Sequence, residues 1–291
     1  MKDHQTLSTR PGTLWVVATP IGNLEDLSPR ARRILGEADL VVAEDTRHSG
    51  RLLAYLGLSK PLLSLHEHNE AARVPQLLER LRQGAHLALV SDAGTPLVSD
   101  PGYRLVRAVR EGGLPVFPVP GPSAVMAALS VAGLPSDRFW FEGFLPASVS
   151  ARRQRLEKLL TLPVTVCCFE SAHRIRASAG DLADLAPERE VVLAREITKQ
   201  FEQHYFGFAA TLPEWLGADP NRGRGEFVLL IAGAQESAEG GEPGGGVTAE
   251  EERVLDVLLA ALPLKQAVKL AVQLTGVPRN RLYSRALARQ R

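Results

Sequence analysis

The sequence predicts a two-domain α/β fold followed by a small helical module, and three observations carry that prediction. Residues 11–133 repeat one pattern five times: a short β-branched run, a Gly/Pro or polar loop, then a helix. Residues 134–233 hold more strand-like than helix-like runs, which implies a mixed sheet with substantial antiparallel pairing. The stretch AQESAEGGEPGGGV (234–247) has the Gly, Glu and Ser content of a flexible linker, and it separates both from a helical extension at 248–291. A chain of 291 residues is long enough for this plan.

Each element follows from its local signals. TLWVVAT (13–19) reads as a strand; Ser28 and Pro29 form an N-cap and first-turn pair ahead of RARRIL, which Gly36 is expected to stop. DLVVAE (39–44) leads through Thr46 into RHSGRLLAYL, closed by Gly57, and PLLSL (61–65) leads through HEHN into AARVPQLLERLRQ, closed by Gly84. AHLALVS (85–91) runs through DAGTPLVS to Asp100 and Pro101, a second cap pair, and then GYRLVRAVRE. LPVFPVP (114–120) ends in GPSA and the apolar helix AVMAALSVA. Parallel neighbours need crossover helices, so five such units predict a parallel sheet with helices on both faces. In the second half FWFEGFL (139–145), VTVCCFE (164–170), EVVLAREI (190–197), FEQHYFGF (201–208) and EFVLLIAG (226–233) read as strands. Thr248 and Glu251 have capping-box spacing before ERVLDVLLAAL, and LKQAVKLAVQLTG and PRNRLYSRALARQ complete a three-helix module.

Composition narrows the function classes. Thirty-four Lys and Arg against thirty-three Asp and Glu leave bulk charge near zero, so total charge does not mark a nucleic-acid binder. No apolar run reaches membrane-span length and the first residues lack a signal-like apolar core, which places the expected location in the cytoplasm. The only cysteines, Cys167 and Cys168, are adjacent in a strand and offer neither a disulfide framework nor a zinc site. Charge is uneven near the C-terminal end, however. Seven acids face Arg253 alone in 234–262, whereas 263–291 carries seven bases and no acid. That basic end suits phosphate contact, or equally a helix face neutralising its acidic neighbour.

The unusual residues sit in loops at strand ends, where open parallel sheets bind ligands. TPIGN (19–23), SDAGTP (91–96) and PGPSA (120–124) offer bare backbone donors and acceptors, and none is a GxGxxG or GxxxxGK[ST] phosphate loop. AEDTRH (43–48) sets Glu44, Asp45, Arg47 and His48 at another strand end, a pattern that suits hydroxyl activation or an Asp–Arg ion pair with Thr46 as cap. His66 and His68 share a strand face, but no further ligands follow at metal-site spacing, so no metal is expected. ESAHR (170–174) and AREITKQFE (194–202) supply Glu170, His173, Arg174, Arg195, Glu196, Lys199 and Glu202 for a cleft. Arg152, Arg153 and Arg155 after FEGFLP read as a mobile basic loop for phosphate, with exposed helix charge as the ordinary alternative.

Taken together, VATPIGNLEDLSPRA, VVAEDTRHSGRLL, LHEHNE, LVSDAGTPLVSDPG, PVPGPSA, FEGFLP, ESAHRI, AREITKQFE and GEFVLLI closely resemble the ribosomal RNA small subunit methyltransferase I family, a branch of the tetrapyrrole methylase (class III) superfamily. The resemblance runs in order from Thr13 to Gly233 and departs at Ala172 and Phe208. It implies a two-domain tetrapyrrole methylase-like fold, a homodimer, and methyl transfer from S-adenosylmethionine to the 2′-hydroxyl of a cytidine in the decoding region of 16S ribosomal RNA, within the small ribosomal subunit. By the same resemblance, the cofactor is held by Pro20, by Ser91, Asp92, Ala93, Gly94, Thr95 and Val98, and by Ser123 and Ala124. A ribose hydroxyl is a poor nucleophile at neutral pH, so a proton acceptor is expected among Asp45, Glu170 and Lys199, with Arg47 and Arg174 orienting phosphate. Two rivals share parts of this pattern: a tetrapyrrole C-methyltransferase, and a DNA-binding regulator using LKQAVKLAVQLTGVPRNRLY as a helix-turn-helix.

Overall fold

The structure is a computed structural model that describes residues 11–234 and 249–289. The expected linker and the Thr248 cap fall on 235–248, outside the described residues. The chain divides into two compact units, Met1–Gly233 and Ala234–Arg291. Among the described residues no helix is long and apolar enough to cross a membrane.

The first unit contains two five-stranded sheets. Strands β1 (Leu14–Val17), β2 (Leu40–Ala43), β3 (Leu62–Ser64), β4 (Leu87–Val90) and β5 (Val116–Val119) form an all-parallel sheet in the order β3-β2-β4-β1-β5. Side-chain alternation sorts its two faces. Val41, Ala43, Ala88 and Val90 meet helices α1 (Pro29–Glu37) and α2 (Thr46–Tyr55), while Leu40, Val42, Leu87 and Leu89 meet α3 (Glu70–Arg82) and α4 (Tyr103–Glu111). The fifth helix departs from the expected plan. α5 (Ala124–Ala132) lays Val125, Ala128 and Leu129 on the second sheet, against Cys167, Val192, Val228 and Leu230. Only one side of this apolar helix is buried there; Met126 and Val131 on the other side stay about half exposed.

The second sheet comprises β6 (Phe139–Phe144), β7 (Thr165–Ser171), β8 (Glu190–Arg195), β9 (Gln203–Phe208) and β10 (Glu226–Ile231), ordered β6-β7-β10-β8-β9. Only β6 and β7 pair in parallel; the other three pairings are antiparallel. Helices α6 (Val149–Leu159), α7 (Ile175–Leu185) and α8 (Leu212–Ala218) bury Leu156, Leu159, Ile175, Leu182, Leu212 and Leu216 on its other face.

Three local expectations give way, two of them to longer-range partners. α1 runs through Gly36 to Glu37, with Ala38 as its C-cap. α4 is not capped by Asp100; Gly102, at φ +119°, precedes it, and buried Glu70 accepts a hydrogen bond from Leu105 N at 3.2 Å. A carboxylate at a helix N-terminus satisfies an orphan donor and complements the helix dipole. The third concerns Arg152, Arg153 and Arg155, which lie on α6 and not in a mobile loop. Arg152 is 2% exposed and its Nε donates to Asp181 Oδ2 at 2.7 Å; Arg153 joins Asp181 and Asp184, and Arg155 makes two 2.6 Å bonds to Glu142. These guanidiniums fasten α6 to α7 and β6, so their charge is spent inside the fold.

The second unit holds α9 (Ala249–Ala261), α10 (Leu264–Thr275) and α11 (Arg279–Arg289) around Leu255, Val268, Ala271, Leu282 and Ala286. Gly276, at φ +72°, ends α10 as a left-handed cap. Arg285 and Arg289 pair with Glu252, and Arg289 also with Asp256. Part of the basic run thus neutralises the preceding acidic helix.

Candidate active site

The three Gly/Pro loops at the carboxyl ends of β1, β4 and β5 are tied together. Thr19 and Gly94 exchange backbone hydrogen bonds of 2.9 and 3.1 Å, and Thr95 Oγ1 donates to Pro122 O at 3.1 Å. Gly94 sits at φ +79°, and a Cβ there would meet Ile21 Cγ2 at 3.3 Å, so the left-handed turn and the close neighbour both favour glycine. The wall opposite comes from the ends of β7 and β10 and the loop after β8. A Cβ at Gly22 would overlap Lys199 Cγ, which shows how closely the first loop approaches that wall. Between them lies a cleft of about 570 Å³.

Backbone strain concentrates here. The non-glycine residues with positive φ among those described are Leu97, Ser99, Glu196 and Thr198, all on the two loops flanking the cleft. Each such conformation costs about 1–3 kcal/mol and persists where surrounding contacts dictate it. Gly225 answers the second loop: at φ +94°, its missing Cβ leaves room for the Glu196 carboxyl, which would otherwise lie at 2.5 Å.

Charge in the cleft is polarised. Glu44, Asp92 and Asp100 line the side of the first sheet. Burial pushes the Glu44 carboxyl above its ordinary range, and neighbouring Asp100 and Asp92 push it further. Asp100 is raised by burial and by Asp92, against a hydrogen bond from Ser91. Asp92 Oδ1 accepts from Asp45 N at 3.1 Å. Among the described residues, the Glu44 carboxylate has no hydrogen-bond or ion-pair partner. On the other side, burial disfavours the Lys199 ammonium, yet Glu226 at 2.8 Å and Glu196 at 2.9 Å outweigh it and raise its pKa.

The structure gathers most of the expected ligand-binding residues and reassigns the expected bases. Asp92, Ala93, Gly94, Thr95, Val98, Ser123 and Ala124 line the cleft, as do Glu170 and Lys199. Pro20 and Ser91 do not; Ser91 is buried below the loop, its hydroxyl donating to Ala93 O at 3.3 Å. Asp45 is no free base: it N-caps α2, accepts from Arg47 N at 2.8 Å and pairs with the Arg47 guanidinium, which holds its carboxyl well below the usual range. Glu170 has both oxygens engaged, by Ser178 Oγ at 2.6 Å and by Ser171 N at 2.8 Å, with Arg174 Nε at 3.1 Å. Arg174 also donates to Leu145 O and so braces the strand ends. Lys199, held protonated between two carboxylates, is a poor proton acceptor. Among the described residues no group of three or more His, Cys, Asp or Glu side chains is placed to hold a metal ion.

Residues 13–213 match the family described as Tetrapyrrole (Corrin/Porphyrin) Methylases, and residues 245–290 match the RsmI C-terminal HTH domain. Over 280 residues the chain is 53% identical to the ribosomal RNA small subunit methyltransferase I of Pseudomonas aeruginosa, an alignment covering 96% of this chain and 98% of that protein. The chain belongs to the ribosomal RNA small subunit methyltransferase I family of tetrapyrrole methylases. The same-named protein of Escherichia coli O157:H7 is 47% identical over the whole of both chains. Among solved structures, the uroporphyrin-III C-methyl transferase of Thermus thermophilus complexed with S-adenyl homocysteine shares the fold, with a TM-score of 0.53, 20% identity, and coverage of 76% of this chain and 97% of that one.

In this tetrapyrrole methylase, sequence reasoning missed the apolar part of the cleft: Ile21, Phe144, Phe169 and Ile197. Phe144 packs near Phe169, ring centroids 5.6 Å apart, and remains 51% exposed at the end of β6. Alternation along β6 and β7 could have flagged these rings, because an aromatic that stays exposed at the carboxyl end of a strand marks a ligand wall as readily as a surface. Asp100 was legible only as a helix cap.

Proposed function

We propose that this protein transfers a methyl group from S-adenosylmethionine to the 2′-hydroxyl of a cytidine in the decoding region of 16S ribosomal RNA, acting in the cytoplasm as a homodimer on RNA within the small ribosomal subunit. The names of relatives that span nearly the whole chain support the substrate class. A fold relative solved with S-adenyl homocysteine supports the cofactor class. The observation that carries the reading is the cleft itself: Glu44, Asp92 and Asp100 facing bare backbone at Ala93 and Gly94 and the apolar side chains of Ile21, Phe144 and Phe169. Three carboxylates suit a cationic ligand, and the glycine cradle and aromatic rings suit a folded nucleoside. Exposed Phe206 and Phe208 on edge strand β9 support self-association.

When bound, S-adenosylmethionine supplies a methyl group activated by the positively charged sulfur that carries it. Asp92–Thr95, Val98, Ser123 and Ala124 would hold it. The chain's remaining tasks are alignment and proton removal. Glu44 accepts the ribose hydroxyl proton in this reading, because it reaches the cleft, lacks an internal partner and has a basicity raised by burial and by Asp100 and Asp92. Glu170 and Arg174 keep the end of β7 in place, and Lys199 contributes a fixed positive charge opposite the acids. Incubation with methyl-labelled donor and either small ribosomal subunits or a porphyrinogen tests the proposal. Label in a single cytidine supports it, and label in the porphyrinogen alone refutes it.

A further inference from the structure

The cleft does not end at Asp100. That residue also lines a second depression with Pro101, Tyr103 and Arg104, and Tyr103 in turn lines a third with Arg107 and Arg110 along α4. The three depressions thus abut in turn, at Asp100 and then at Tyr103, and together they mark a groove that follows the helix away from the cleft. Spacing i, i+4, i+7 sets Tyr103, Arg107 and Arg110 in a single stripe on α4.

The stripe is organised at its middle. Arg107 Nε donates to Glu111 Oε1 at 2.8 Å, and its Nη1 donates to the Tyr103 hydroxyl at 3.0 Å, so a braced guanidinium holds a ring that is 61% exposed. The guanidiniums of Arg104 and Arg110 are exposed and make no hydrogen bond or ion pair among the described residues. They contrast with Arg152, Arg153 and Arg155, whose charges are matched internally. Acids cluster at the cleft end, where Glu67 and Asp100 share a depression with Arg104, and Arg110 lies farther out.

We propose that this groove is the track for the RNA strand flanking the methylated nucleotide, with Tyr103 as a base-stacking platform and Arg104 and Arg110 as phosphate contacts. The inference rests on the RNA reading above. Fixed aromatic faces beside free cations bind single-stranded nucleic acid with little sequence preference. The two arginines stand about 9 Å apart along the helix axis and about 120° apart around it, Arg110 on the Tyr103 stripe and Arg104 to its side, so each meets a different part of a strand laid over the helix. The acidic end meets the reacting ribose, where proton removal is needed.

The test compares the full-length protein with Tyr103→Ala, Tyr103→Phe and the double variant Arg104→Gln/Arg110→Gln, using small-subunit RNA and methyl-labelled donor. Expected results are a KM for RNA raised about tenfold in Tyr103→Ala but restored in Tyr103→Phe. In the double variant, the slope of log affinity against log salt should shrink by about 1.4. Donor affinity by calorimetry stays unchanged in all three. If the wild type methylates RNA while the variants keep its KM and salt slope, the groove assignment falls and the function reading stands. Normal affinity for free RNA with lost activity on assembled subunits points instead to a protein contact and also overturns it. A wild type that neither binds nor methylates RNA removes both.

Discussion

Replacing Glu44 by Gln separates the chemistry of the cleft from its stability, because the two should move in opposite directions. Gln is isosteric with Glu, so packing at the end of β2 is kept while the proton acceptor is lost. A positioned general base contributes on the order of 10²–10⁴ in rate, so kcat should fall at least about 100-fold, roughly 2.7 kcal/mol of transition-state stabilisation, with little change in KM. The wild type should gain activity as pH rises through the elevated Glu44 pKa, and the variant should lose that limb. Stability follows the reverse sign. A carboxyl whose folded pKa is raised binds its proton more tightly folded than unfolded, so its contribution is lost as pH climbs from the unfolded value through the folded one. At neutral pH the Glu44→Gln variant therefore escapes the burial of a charge and repulsion from Asp100 and Asp92, and should melt higher, by about 2–4 °C for each kcal/mol relieved. Single-turnover methylation across pH and thermal melts at matched pH provide both readouts. A Glu44→Gln enzyme with kcat within about threefold of wild type and an intact pH limb would refute the assignment of the base.

Other expectations follow from single contacts. Asp92→Ala should weaken donor binding at least tenfold by calorimetry, because it removes a carboxylate from the cleft and the acceptor for Asp45 N. Gly94→Trp should abolish donor binding, since the turn at φ +79° and Ile21 leave no space for a side chain; unchanged affinity would displace the ligand from this loop. Arg152→Ala should cost about 1.5–3 kcal/mol in urea unfolding, because it removes the 2.7 Å bond to buried Asp181 and leaves that carboxylate to Arg153 alone, while leaving the salt dependence of RNA binding unaltered. Gly225→Ala should destabilise by about 1–2 kcal/mol from backbone strain alone and should disturb Glu196 beside Lys199.

The first sheet was readable because its cues are local. Strand runs of three or four residues, Gly and Pro punctuation, and the Ser28–Pro29 start all act within a few positions, and they recover the five strands and their helices. What failed required partners far along the chain. Glu70 caps α4 from 35 residues away, and Asp181 binds Arg152 from 29 away, so neither sequence neighbourhood contains the deciding group. α5 was misplaced for the same reason: nothing in AVMAALSVA names the later strands that bury it. The choice between Glu44 and Asp45 turned on one residue. The last turn of extended chain carries Glu44 to the cleft, and the next residue begins the helix as its cap. Loop residues fared better, since glycines and prolines clustered at three strand ends already imply a shared rim.

The central claim is that the rim of the first sheet holds a cationic methyl donor against a ribose of small-subunit RNA. Mass spectrometry of nuclease-digested 16S RNA, after incubation of small subunits with methyl-labelled donor and either wild-type protein or the Asp92→Ala variant, tests it most directly. The predicted result is one 2′-O-methylated cytidine with the wild type and none with the variant. Equal labelling by both proteins, or label on a base or on no RNA at all, would contradict it.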